Sequence, residues 1–250
     1  MKIFELDIFG FTLAPTYYGL MYIIWFLYWI WALKKTWRYT ESQRESLFLY
    51  IFAWVLLWGR IGYILFYDLW KYISEPSNIL RVWEWGMSFH GWFLWVVIAL
   101  VVFAKLKNVN FWKLADDIAL IIPVWLFFGR IWNYLNKELL WFPYTGPLAV
   151  QISSWSYFPS PLLEAFLEWL VIFVILKLVA QKIWFDGKLA ALFLILYGTF
   201  RTIVELFFRV PDPQIWYYFG FLTQGSLLSI PMILVWIYLY FYLKTHDTTK

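Results

Sequence analysis

The sequence predicts an all-α polytopic membrane protein, and three observations lead there. Of its 250 residues, 63% are hydrophobic, 25% aromatic and only 14% charged. A soluble domain needs about a quarter of its residues charged, so most of this chain must face lipid or other apolar helices. The apolar residues also fall into seven runs, each near the length of about 20 residues that crosses a hydrocarbon core. Inside lipid a bare peptide group has no partner, so each run is expected to be a helix. Finally, the basic residues gather in alternate connections, which sets an orientation.

The seven expected spans are residues 14–33, 47–67, 86–104, 117–135, 162–180, 189–207 and 221–243. Glu5 and Asp7 precede an uncharged run from Ile8 to Leu33, long enough to span a bilayer and stay, so it reads as a retained helix rather than a cleaved signal. Between the first two spans lie Lys34, Lys35, Arg38 and Arg44. Lys105, Lys107 and Lys113 separate the third from the fourth, and Lys177, Lys182 and Lys188 separate the fifth from the sixth. Lys244 and Lys250 follow the last. Those connections are expected in the cytoplasm, with the N-terminus outside and the C-terminus inside. The segment 139–163 is uncharged and carries Pro143, Pro147, Pro159 and Pro161, which argues for an ordered loop against the outer membrane surface. "WGR" at 58–60 and "FGR" at 128–130 are too short to establish a repeat. The whole reads as a single integral membrane domain, 1–250.

Composition also excludes some functions. A net charge of +4 from 20 basic and 16 acidic residues gives no nucleic-acid signal. Without cysteine there is no disulfide, thiolate metal site or cysteine nucleophile, and two histidines alone do not build a metal centre.

The informative residues are those that lipid penalises. Arg60, His90, Arg130, Asn133, Glu138, Arg201 and Glu205 fall in or at the ends of the expected spans. There an unpaired charge costs about 2.5–3.5 kcal/mol on insertion scales. Arg201 and Glu205, four apart, share a helix face and can pair; Arg130 and Asn133 share another. Guanidinium groups stay charged when desolvated and hold phosphate in a bidentate fork, so several in one cavity suit an anionic lipid headgroup. Plainer readings stay open: an ion pair that only fixes packing, snorkelling of Arg60 to the interface, and a packed, hydrogen-bonded His90. Against the last, His90 is the side chain best suited to exchange a proton near neutrality.

Seven blocks then resemble a known family in order: "YYGLMY" at 17–22, "GRIGYILFY" at 59–67, "RVWEWGMSFHG" at 81–91, "GRIWNYLNKEL" at 129–139, "PSPLLEAFLE" at 159–168, "FRTIVELFFRVPD" at 200–212 and "LLSIPM" at 227–232. Together they resemble prolipoprotein diacylglyceryl transferases. The resemblance implies a multi-pass enzyme of the bacterial cytoplasmic (inner) membrane. Its reaction moves the diacylglyceryl group of phosphatidylglycerol to the lipobox cysteine thiol of a preprolipoprotein, forming a thioether and releasing glycerol phosphate. It implies no cofactor, metal or nucleic-acid partner, only the two substrates and membrane lipid. The family's functional positions fall on Tyr18, His90, Arg130, Asn133, Glu138, Arg201 and Glu205. His90 would be the base for the incoming thiol, and Arg130 and Arg201 would stabilise the departing phosphate. Asn133 and Tyr18 would donate hydrogen bonds to the headgroup, Glu205 would orient Arg201 and Glu138 would position Arg130; Arg60, from its place in an expected span rather than from the resemblance, is a further candidate cation for the headgroup.

The chain also departs from that resemblance. Where the family's blocks carry glycine, it reads Trp25, Trp58, Trp85, Trp92, Trp95, Trp125, Trp132, Trp141 and Trp169. Each small-to-large change in a tight interior costs about 1–3 kcal/mol, more in sum than marginal stability absorbs. Twenty tryptophans beside 12 glycines fit a genome that reads UGA as glycine, translated with a table that assigns UGA to tryptophan. Arg209 trails Glu205 by one residue more than the family pattern, and the external loop at 139–163 is trimmed. A transporter or a non-catalytic membrane scaffold would also keep charges in its spans. A transporter, however, typically shows repeated halves or broken helices.

Overall fold

The computed structural model describes residues 6–8, 11–13, 17–35, 39–51, 53, 74–75, 89–137, 142–182, 186–208 and 224–246. These are mostly helical. A short hairpin, β1 (Leu6–Ile8) and β2 (Phe11–Leu13), pairs Leu6 with Leu13 and Ile8 with Phe11. The hairpin takes up the start of the uncharged run, and helix α1 spans Tyr17–Lys35. Helix α2 is Phe89–Leu106, and α3 is Phe111–Leu135 with Pro123 inside it. A second hairpin, β3 (Val150–Ile152) and β4 (Trp155–Tyr157), precedes α4 (Ser160–Ala165). A π-helical turn at Phe166–Val171 joins α4 to α5 (Ile172–Ala180) without a break. Helices α6 (Lys188–Phe207) and α7 (Gln224–Thr245) complete the order.

Six of the seven expected spans coincide with described helix. For the second, residues 41–51 are helical and most of its length, with Arg60, lies outside the described residues. The starts are set by local chemistry. Thr40 and Gln43 form a reciprocal capping box: the Gln43 amide donates to Thr40 Oγ1 at 3.2 Å and the Thr40 amide to Gln43 Oε1 at 2.9 Å. Asn110 Oδ1 accepts the amides of Trp112 (2.8 Å) and Lys113 (3.1 Å), so α3 begins six residues before the apolar run at 117–135. Residues 139–163 form no continuous helix: Phe158 N–H donates to the Phe142 carbonyl at 2.8 Å, and the Tyr144 amide to that of Ser156 at 2.9 Å, adding 142–144 alongside β4. Prolines at 143 and 147 forbid helix there.

The chain divides into two compact units, Met1–Ala32 with Ala115–Lys250, and Leu33–Leu114. In the smaller unit Leu47, Ile51, Leu100 and Phe103 are buried, and the Tyr50 ring meets Phe103 edge to face. In the larger unit α6 and α7 approach most closely at Gly198, where an added Cβ would lie 2.8 Å from Ile233 Cγ1. Only a residue without a side chain permits that approach.

Many large apolar side chains point outward: Ile23, Leu27 and Trp31 on α1, Val174 and Leu178 on α5, Leu206 and Phe207 on α6, Leu234 and Phe241 on α7. Helices apolar on both faces belong in lipid. Among the described residues one helix, α6, is long and apolar enough to cross a membrane, with mean hydropathy 1.7. Tyrosines and tryptophans, which hydropathy scales count as nearly polar, hold α1 below that line.

Candidate functional site

The larger unit brings two arginines and three glutamates together from α3, α4 with its π-turn, and α6. Arg130 Nη1 lies 2.9 Å from Glu164 Oε2, and its Nε donates to Glu168 Oε2 at 3.0 Å. Arg201 Nη1 donates to Glu164 Oε1 at 3.0 Å and lies 4.0 Å from Glu168 Oε1, while its Nη2 pairs with Glu205 one turn on. Glu164 thus bridges both guanidiniums, one oxygen to each.

Why these groups meet follows from their spacing. Glu164 and Glu168, four apart, face the same way, and the π-turn that carries Glu168 widens the helix there. Arg201 and Glu205 repeat the spacing on α6, and both are held half-buried or buried. The glutamate side chains are almost sealed, at 1% and 0% exposure for Glu164 and Glu168, whereas Arg130 keeps 14% and Arg201 16%. The open side of the cluster is therefore the arginine side. Among the described residues, Arg130 Nη2 and Arg201 Nε have no hydrogen-bond partner. Removing a carboxylate from water costs several kcal/mol before pairing offsets it, so three in one place need both arginines. Tyr197, buried one turn before Arg201, lies within electrostatic reach of all four of Glu164, Glu168, Arg130 and Arg201.

Of the residues singled out by sequence, Arg130, Arg201 and Glu205 come together here. Asn133 lies one turn beyond Arg130 on α3. His90 falls in the first turn of α2 and Tyr18 in that of α1, with their side chains outside the described residues. Arg60 and Glu138 lie outside them too. Sequence reading passed over Glu164 and Glu168 as site residues, although two carboxylates four apart at the head of an apolar span carry the same signal that singled out Arg201 and Glu205.

Three of the tryptophans at the proposed glycine positions have placed surroundings. Trp25 packs 5.9 Å from Trp125, and Trp169, in the π-turn beside Glu168, lies 4.3 Å from Phe127. The buried indole N–H groups of Trp25, Trp29 and Trp169 find no hydrogen-bond partner. A buried donor left unmade costs about 1–3 kcal/mol.

The family model for prolipoprotein diacylglyceryl transferases matches residues 6–242. The phosphatidylglycerol–prolipoprotein diacylglyceryl transferase of Mannheimia succiniciproducens is 46% identical over 238 residues, 90% of this chain and 88% of that protein. That of Pasteurella multocida is 44% identical over 229 residues, 88% of this chain and 84% of its own length. That of Hydrogenovibrio crunogenus is 42% identical over 246 residues, 92% of each.

Proposed function

Because the chain belongs to the prolipoprotein diacylglyceryl transferase family, we infer that it is the enzyme that moves the diacylglyceryl group of phosphatidylglycerol to prolipoproteins in lipoprotein maturation. The observation that carries the mechanism is the Glu164 bridge. It holds two permanently charged forks side by side with spare donors, which matches the bidentate demand of a phosphate.

A lipobox cysteine thiol loses its proton to His90, and the thiolate attacks the glyceryl carbon that bears the phosphate oxygen. A C–S bond forms, the C–O bond breaks, and glycerol phosphate leaves with the electron pair. Arg130 and Arg201 stabilise the charge gathering on that phosphate in a low-dielectric site. Glu164, Glu168 and Glu205 hold the guanidiniums in place so that no reorganisation is needed at the moment of reaction. Asn133 and Tyr18 donate to headgroup oxygens, Arg60 adds a further cation for the headgroup and Glu138 positions Arg130. The chain sits in the bacterial inner membrane as one domain with seven crossings, its N-terminus outside, its 139–163 loop extracytoplasmic and its basic connections in the cytoplasm.

Many of the tryptophans at 25, 58, 85, 92, 95, 125, 132, 141 and 169 are glycines encoded by UGA, and the orphaned indoles support this at 25 and 169 and extend it to Trp29. The test of function is mass transfer from phosphatidylglycerol to a lipobox peptide by the purified protein, with rescue of a transferase-depleted cell beside it. His90→Gln and Arg130→Ala should abolish both. Rescue that survives either change points to a transporter or scaffold instead.

A further inference from the structure

Asp116 sits at the far end of α3 from the ion cluster. Its Oδ2 accepts the Gly187 amide at 2.8 Å and its Oδ1 the Ala190 amide at 2.9 Å, so a side chain of one helix caps the first turn of another. The α6 N-terminus supplies no cap of its own: Gly187 holds φ at 88°, a conformation that favours glycine, and it has no side chain to offer. Burial pushes the Asp116 carboxyl up to about 6, against the pull of the Ala190 and Gly187 amides and with Asp117 as the like-charged neighbour.

Fourteen residues separate Asp116 from Arg130, and fourteen separate Gly187 from Arg201. Both pairs join the same two neighbourhoods, so α3 and α6 run in the same direction, each rising about 21 Å at 1.5 Å per residue. Equal arms from one fixed point bring the two guanidiniums to the same height, where a single carboxylate bridges them. A slip of one residue would move one arginine by about 1.5 Å along its axis. That exceeds what one hydrogen bond and one close ion pair near 3.0 Å to a single carboxylate tolerate.

We propose that Asp116 is a positioning residue for the transfer reaction: by capping α6 from α3 it sets the axial register that aligns Arg130 with Arg201. The inference rests on the reading of those arginines as the headgroup grip. It acts about 21 Å away from the chemistry and touches no substrate.

The full chain contains no cysteine, so spin labels placed through Leu135→Cys and Phe207→Cys, both exposed near the other ends of α3 and α6, report their separation in nanodiscs. Asp116→Ala should broaden or shift the distribution of that distance, by less than the axial slip of about 1.5 Å itself because the two labels start near one height. It should also lower kcat/KM for phosphatidylglycerol about tenfold, the size of a lost cap carried into the site. Asp116→Asn keeps one good acceptor and should recover part of both, and it decides the matter if the alanine variant fails to fold. A distance unmoved in both variants overturns the proposal. So does a moved distance with kcat/KM within twofold of the unaltered chain, and so does a lower Tm with neither readout changed. Arg201→Gln serves as the parallel control, since it should abolish transfer without moving the labels. If Arg201→Gln retains transfer, the headgroup reading fails, while the label distance still decides the register.

Discussion

Replacing Glu164 by glutamine is the sharpest single perturbation of the cluster. The amide keeps the size of the side chain and one acceptor oxygen, but it removes the charge that faces two guanidiniums at 2.9 and 3.0 Å. Removing one partner of a buried ion pair costs about 3–5 kcal/mol when the other is left alone. Here neither arginine is left alone, because Arg130 keeps Glu168 and Arg201 keeps Glu205, so the cost falls below that range. A loss of about 2–3 kcal/mol corresponds to a fall of about 30- to 150-fold in kcat/KM. Glu164→Ala should fall further, since it also opens a void. The assay is mass transfer from phosphatidylglycerol to a lipobox peptide in nanodiscs, with thermal unfolding measured in parallel. If Glu164→Gln stays within threefold of the unaltered chain at equal Tm, the bridge is packing only, and the mechanism loses its main support.

Arg130→Lys and Arg201→Lys keep the charge but lose the fork that meets two oxygens at once; each should lower transfer at least about tenfold, with equal activity showing that charge alone suffices. Trp25→Gly, Trp29→Gly and Trp169→Gly together should leave Tm unchanged or raise it, because three orphaned N–H groups vanish and the helices close. A drop matching ordinary cavity formation, about 3–5 kcal/mol per site, would show these indoles to be native. Reading UGG in the gene at positions 58, 85, 92 and 132 would end the recoding account as directly. Gly198→Val should separate α6 from α7, given the 2.8 Å approach to Ile233 Cγ1, and a variant with unaltered Tm would show that the contact yields freely.

Much of this was legible in the sequence because lipid punishes charge. Arg130, Arg201 and Glu205 stood out as costly residues in apolar runs, and their meeting follows from that cost. Helix positions were equally readable, since length and apolarity suffice to place them. Glu164 and Glu168 were passed over although both fall inside the fifth expected span: they sit at its head just after two prolines, and only the fold shows them buried against the arginines. The hairpins could not be read either. Three-residue strands are too short for alternation to show, and β2 hides inside an uncharged run long enough to be helix. Asp116 reads as an ordinary carboxylate just ahead of an expected span, and only the fold reveals that it caps α6.

The most direct measurement is retention of phosphatidylglycerol by the purified protein in native mass spectrometry, against zwitterionic phosphatidylethanolamine. The unaltered chain should keep the anionic lipid selectively, and the double change Arg130→Gln with Arg201→Gln should erase that preference. Equal retention of both lipids, or a preference that survives the double change, would contradict the claim that the paired guanidiniums grip the headgroup.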